Sequence, residues 1–185
     1  MTTLLGGTFN PPHNGHVALA RAAEERFGDE VVVLVSARPG HKDPALDAET
    51  RFELARAAFP DREVELDPYE RTVDTLAADG WRDPLFVIGA DEFCDFLTWK
   101  DPEGVLARAR LAVATRPGYP WERLQSVLDR LSQPERVQFF EIEPLHVSSE
   151  EIRERVARGE PIDGLVPPAV AELIDARGLY RLEGT

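Results

Sequence analysis

Short apolar runs alternate along the chain with longer stretches in which apolar positions recur every three or four residues. Thr2–Leu5, Glu30–Ser36, Glu63–Leu66, Leu85–Ile88, Leu111–Thr115 and Val137–Ile142 read as strands. Several are continuously apolar, such as VVVLV at 31–35, the pattern of parallel strands covered on both faces. Val17–Phe27, Ala48–Ala58, Val73–Ala78, Pro102–Ala109 and Trp121–Leu131 carry helical spacing between them. Repeated strand–helix–strand units predict an α/β fold: a doubly wound, mainly parallel sheet with right-handed crossovers. After Ile142 the strands stop. Ser148 and Glu151 stand as a capping box for a helix that stops at Gly159, and a second helix follows Pro167-Pro168 and closes at Gly178. Residues 1–185 thus read as one domain, with 143–185 as its C-terminal helical part, expected against the sheet's edge or over its carboxyl end.

Composition narrows the class of protein. A chain of 185 residues, 43% hydrophobic and 30% charged, can build one well-packed core. No apolar run reaches membrane-spanning length, and the N-terminus lacks a basic region followed by an apolar stretch, so no membrane association is expected. A lone cysteine, Cys94, cannot form an internal disulfide, which fits a reducing cytoplasm. The net charge of −13 disfavours a nucleic-acid partner, which would want a basic face. Any phosphate must therefore be held by local groups that reverse the field. The only lysines, Lys42 and Lys100, stand out in a chain whose other basic residues are all arginine.

The chemistry concentrates in GGTFNPPHNGH, residues 6–16, which holds two of the four histidines and both asparagines. It lies between the first strand and the first helix, where α/β proteins bind ligands. Gly6 and Gly7 let backbone N–H groups approach a ligand closely. Gly15 and His16 fall at the first turn of the helix, whose N-terminus favours an anion. Two imidazoles beside that terminus can donate to phosphoryl oxygens. A metal site is a weaker reading, because no third histidine or cysteine cluster follows at ligand spacing. A lone Asp91, Trp99, Arg116 or Ser148 would be read as a helix cap, a packing residue, a solvated turn and another cap, respectively.

Taken together, these segments resemble the HxGH nucleotidyltransferases, in the form seen in bacterial nicotinate-nucleotide adenylyltransferases. GGTFNPPHNGH carries the signature. ARPGHK at 37–42 is similar to the family's Pro-Pro-His-Lys loop, with Gly40 where proline is usual. RTVDTL at 71–76 resembles its Thr-x-x-Thr-Leu segment, VIGADEFCDFLTWK at 87–100 its Gly-Ala-Asp strand end followed by tryptophan, and ATRPGY at 114–119 its Arg-Pro-Gly turn. HVSSEEIRERVARG and the Val-Pro-Pro and Gly-Leu-Tyr beyond it resemble the C-terminal signature.

The resemblance implies a Rossmann-like nucleotidyltransferase fold and transfer of the adenylyl group of ATP to nicotinate mononucleotide, giving deamido-NAD and pyrophosphate. It implies that His13, His16, Lys42 and Arg153 act on the phosphates. Gly6, Thr8, Phe9, Gly15, Asp91, Arg116, Ser148 and Ser149 would bind ATP, with Asp91 on a ribose. Thr72, Trp99, Lys100 and Arg71 would bind the acceptor. Magnesium would arrive with the triphosphate, bound mainly by phosphate oxygens and water. No protein ligand set for a metal, no nucleic acid and no membrane is expected, and a homo-oligomer is left open. A related transferase with another phosphorylated acceptor, or a non-catalytic nucleotide sensor of the same fold, remains as an alternative. Three departures bear on this choice. Glu70 and Arg71 replace a serine and an aromatic before the pocket threonine, and Glu150 stands where threonine is common. Arg71 is expected to face the acceptor's carboxylate, which suits a guanidinium fork.

Overall fold

A computed structural model describes residues 2–40, 44–78 and 80–181. Strands β1 (Thr3–Gly7), β2 (Val31–Ser36), β3 (Val64–Asp67), β4 (Leu85–Gly89), β5 (Arg110–Thr115) and β6 (Val137–Glu141) form one six-stranded sheet in the order β3-β2-β1-β4-β5-β6. Every neighbouring pair is parallel, with Thr3 in register with Val31 on one side and Leu85 on the other. The helices are α1 (Asn14–Phe27), α2 (Ala48–Ala58), α3 (Thr72–Ala78), α4 (Ala90–Cys94), α5 (Pro102–Arg108), α6 (Trp121–Leu128), α7 (Ser149–Ala157) and α8 (Pro168–Arg177).

Side chains along each strand point alternately to two layers, so the apolar strands feed two cores. Leu5, Val33, Val35 and Val87 pack with Ala20 and Ala23 of α1, Leu54 of α2, Ile152 of α7 and Ile174 of α8. Leu4, Val32, Leu34 and Phe86 pack on the other face with Leu76 of α3, Phe93 of α4, Leu106 of α5 and Leu124 of α6. This double burial is why the strands read as unbroken apolar runs. Strand order reverses at β1, which lies between β2 and β4. The crevice beyond the carboxyl ends of β1 and β4 is thus the natural ligand position of such a sheet.

Element boundaries depart from the hydrophobic pattern in a few informative places. Helix α1 begins at Asn14, three residues before the first periodic residue at Val17, because its start is fixed by histidine hydrogen bonding rather than by apolar spacing. Helix α6 ends at Leu128 rather than Leu131. Helix α4 and the single 3-10 turns at Phe96–Thr98 and Pro134–Arg136 are too short to generate a readable period. The tail takes the second of its two expected places, over the carboxyl end of the sheet and against α2. The Asn14 N–H donates to Leu165 O at 2.9 Å, and Arg177 of α8 pairs with Glu53 of α2.

Candidate active site

A cavity of about 500 Å³ opens beyond the carboxyl ends of β1, β2 and β4. Gly6, Gly7, Leu34 and Phe86 form its floor, and Thr8 begins its wall. On the far side stand Glu70, Arg71 and Thr72 at the start of α3, and Trp99 and Lys100 after the 3-10 turn. Of the residues expected at the site, Gly6, Thr8, Arg71, Thr72, Trp99 and Lys100 line this one space.

The turn after β1 is built around its aromatic rings. Phe9 takes a left-handed backbone conformation (φ 50°) that disfavours a side chain, yet its ring is fully buried against Phe59 and edge-on to His16 at 5.0 Å. Gly7 must be glycine here, since a Cβ would sit 2.8 Å from the Phe9 ring. The His13 and His16 rings stack with centroids 3.6 Å apart. His16 Nδ1 accepts from the His13 backbone N–H at 3.1 Å, the part that glutamate or glutamine plays in a capping box. With Nδ1 accepting, a neutral His16 ring carries its proton on Nε2. Gly15 leaves room for the His13 ring, whose Nδ1 would lie 3.0 Å from a Cβ at position 15.

Burial lowers the pKa of His13 to about 4, and its enclosed Nδ1 has no hydrogen-bond partner among the described residues. The ring is therefore neutral at pH 7. Because the folded value lies below that of an unfolded histidine (about 6.5), the stability this ring contributes is complete above pH 6.5 and is lost as pH falls towards 4. In denaturant titrations, a His13→Asn variant will lose less stability over that window than the wild type. Equal losses would show that His13 titrates normally.

The C-terminal helices hold this turn from above. Ser149 Oγ donates to Pro11 O at 2.7 Å, Arg153 Nη1 to Asn10 O at 2.8 Å, and the Tyr180 hydroxyl to Asn10 Oδ1 at 2.9 Å. Burial raises the Tyr180 pKa, which keeps that hydroxyl a donor. Asn14 Nδ2 adds a bond to Gly164 O at 2.7 Å. Ser149 and Arg153 thus stand beside the histidines, each with a hydrogen bond to the turn itself. Ser148 is exposed and accepts from the Glu151 N–H at 3.1 Å as the cap of α7. The capping box is only half formed, since the Glu151 carboxylate pairs with Arg155.

Sequence reasoning missed one residue, Arg51 of α2. It is 1% exposed, and its guanidinium donates to Thr8 O (2.8 Å), Ser36 O (2.7 Å), Leu46 O (3.1 Å) and Ala37 O (3.4 Å). A buried charge therefore joins the turns after β1 and β2 from beneath. The sign was present in the sequence: Arg51, Leu54, Ala55 and Ala58 share the buried stripe of α2, and an arginine on such a stripe has to satisfy its donors indoors.

Asp91 and Arg116 lie apart from the main cavity. Asp91 is in the first turn of α4, with its carboxylate accepting from the Tyr119 hydroxyl at 2.8 Å and flanked by Arg116 at 3.6 Å and Arg123 at 3.5 Å. Arg116 borders a second cavity of about 300 Å³ beyond β5 and β6. Lys42 lies outside the described residues. Among the described residues no group of three or more His, Cys, Asp or Glu is placed to hold a metal ion, and no helix is long and apolar enough to cross a membrane.

Comparison with known proteins supplies the context. The cytidylyltransferase-like family matches residues 4–155. A protein of Moorella thermoacetica, named a probable nicotinate-nucleotide adenylyltransferase, is 40% identical over 96% of this chain and 90% of its own. One of the same name from Thermus thermophilus is 38% identical, over 96% of this chain and 98% of its own. The nicotinic acid mononucleotide adenylyltransferase of Plasmodium falciparum, solved in complex with NaAD, superposes with a TM-score of 0.77 at 17% identity, covering 97% of this chain and 96% of its own. At that identity the likeness is one of fold.

Proposed function

Because the chain belongs to the cytidylyltransferase-like family, we propose that it is a nicotinate-nucleotide adenylyltransferase, joining ATP and nicotinate mononucleotide to give deamido-NAD and pyrophosphate in the cytoplasm. The observation that carries the reading is a cavity of about 500 Å³ at the point where strand order reverses, walled by Thr8 of the turn that continues to the stacked His13–His16 pair at the start of α1. The volume suits a nucleotide, while His13 and His16 stand on the turn beyond Thr8 rather than in the cavity lining.

The chemistry asks little of the protein beyond placement. The acceptor's phosphate is ionised at neutral pH, so its oxygen attacks the α-phosphorus of ATP without a general base. The bond from that phosphorus to the bridging oxygen breaks, and pyrophosphate leaves with the electron pair. Catalysis then rests on in-line positioning and on donors aimed at developing charge. His16 Nε2–H and the α1 start face the α- and β-phosphates, with Arg153 and Ser149 above them. Magnesium neutralises phosphate charge when bound. The acceptor's pyridine ring lies toward Trp99 and Thr72.

Pyrophosphate release with ATP and magnesium tests the reading, with nicotinate mononucleotide compared against its amide analogue. Turnover with the acid supports it; no turnover with the acid overturns it. Arg71 lines the cavity, and the acceptor's carboxylate is assigned to its guanidinium. Arg71→Ser should therefore lower kcat/KM for the acid by about tenfold, a charge-assisted contact of about 1.4 kcal/mol, and affect the amide less. Equal losses on both acceptors would remove Arg71 from that role.

A further inference from the structure

Gly40 and Glu70, two positions at which the chain departs from the pattern it resembles, are in contact across the cavity mouth. A Cβ at position 40 would lie 2.3 Å from Glu70 Oε1 and 2.8 Å from its Cγ. The Gly40 backbone is not in the left-handed region, so the missing side chain matters and the conformation does not. Through the space that glycine leaves, Glu70 reaches the neighbouring Arg71, with Oε1 2.6 Å from Nη2 and the two side chains 49% and 42% exposed. A side chain at position 40 would therefore force the Glu70 side chain out of this rotamer.

The pairing changes what the cavity offers an anion. Among the described residues lining it, the lysine and arginine side chains are Arg71 and Lys100. Each already faces a carboxylate, Glu70 for Arg71 and Asp74 for Lys100, the latter at 3.0 Å. Asp67, Glu92 and Asp95 also border the space. If either of these two cations meets an acceptor's carboxylate, it is drawn from an existing pair, and a second negative charge is left nearby. A neutral carboxamide has no such requirement. Its carbonyl can accept from Arg71 while its N–H₂ donates to Glu70, which leaves the ion pair in place.

We propose that Glu70 is a specificity-determining residue: it competes with the acceptor's carboxylate for the Arg71 guanidinium, narrowing the preference for acid over amide, and Gly40 provides the space it needs to do so. The inference rests on the acceptor reading given above. The two departures act together, since a side chain at position 40 would displace Glu70 from the rotamer that meets Arg71.

The test measures kcat/KM for nicotinate mononucleotide and for nicotinamide mononucleotide, and follows their ratio. E70Q should raise the acid-to-amide ratio about fivefold, the scale of a half-exposed ion pair, chiefly through a lower KM for the acid. G40A pushes the glutamate away from Arg71 without altering either residue and should raise the ratio in the same direction. In an E70S background G40A should add nothing, because the clash is gone. A ratio unmoved by both E70Q and G40A, or effects of G40A and E70S that simply add, would overturn the inference while leaving the acid-dependent activity intact. A wild-type chain that releases no pyrophosphate with either mononucleotide would overturn the acceptor reading and this inference with it.

Discussion

His16→Ala turns over ATP and nicotinate mononucleotide about a hundred to a thousand times more slowly than the wild type, the cost of one preorganised donor at developing phosphoryl charge, and it still unfolds in a single transition. The two halves of this expectation rest on different atoms of one ring. Nδ1 accepts from the His13 N–H at 3.1 Å and so belongs to the start of α1. In the proposed function, Nε2 is the atom that donates to the substrate. Deleting the ring removes a helix-start hydrogen bond worth about 1 kcal/mol, a small part of the roughly 5–15 kcal/mol that stabilises a domain. It also removes an edge contact to Phe9, but Phe9 keeps Phe59. His16→Asn separates the roles further: its amide oxygen can accept from the His13 N–H, yet it presents no donor where Nε2–H stood. Pyrophosphate release and calorimetry on both variants check this. An alanine variant within tenfold of wild-type turnover would show that His16 is a helix-start residue and nothing more.

What could be read from the sequence, and what could not, follows from the range of the interactions involved. The six strands and most helix spans came from apolar periodicity because burial on two faces of a parallel sheet writes itself directly into consecutive residues. Helix α2 spans the same residues as its apolar period, Ala48–Ala58, and its start is capped by Asp47. Helix α1 was placed three residues late because an imidazole took the part usually played by a carboxylate or amide. The gathering of Gly6, Thr8, Arg71, Thr72, Trp99 and Lys100 around one cavity was legible through order and resemblance, while local pattern alone would have explained each as cap, turn or packing. Contacts between distant segments left no local sign. Arg153 on the Asn10 carbonyl spans 143 positions, and Glu70 against Gly40 joins two loops that no period connects. Asp91 shows the limit from the other side. Its place after β4 suited a ribose, yet Tyr119, Arg116 and Arg123 surround its carboxylate, a cluster invisible until the sheet assembles.

Arg51→Met, a replacement of similar volume, should lose about 3 kcal/mol of stability and raise the KM for ATP. The guanidinium is enclosed and donates to carbonyls of three separate turns, those of Thr8, of Ser36 and Ala37, and of Leu46. Desolvation draws its pKa down and the nearby Asp47 opposes this, so the charge persists with only partial carboxylate compensation. Methionine would fill the space but strand those oxygens, and each buried acceptor left unpaired costs about 1–3 kcal/mol. Water entering from the cavity side can reach the Thr8 carbonyl, which keeps the total near the lower end of the sum. For a chain of this length a loss of about 3 kcal/mol lowers Tm by roughly 10 °C. The functional effect follows from geometry. Thr8 lines the cavity and leads into the histidine turn, so releasing its carbonyl lets that turn shift against β2. Arg51→Lys restores the charge but not the fork, and one ammonium cannot reach all four oxygens, so it should recover only part of the stability and little of the ATP affinity. Urea unfolding alongside ATP-dependent kinetics distinguishes the outcomes. If Arg51→Met is destabilised as expected but keeps a wild-type KM for ATP, Arg51 only braces the fold. If Arg51→Met loses less than about 1 kcal/mol, the carbonyls have found water and the buried fork is not what joins the turns.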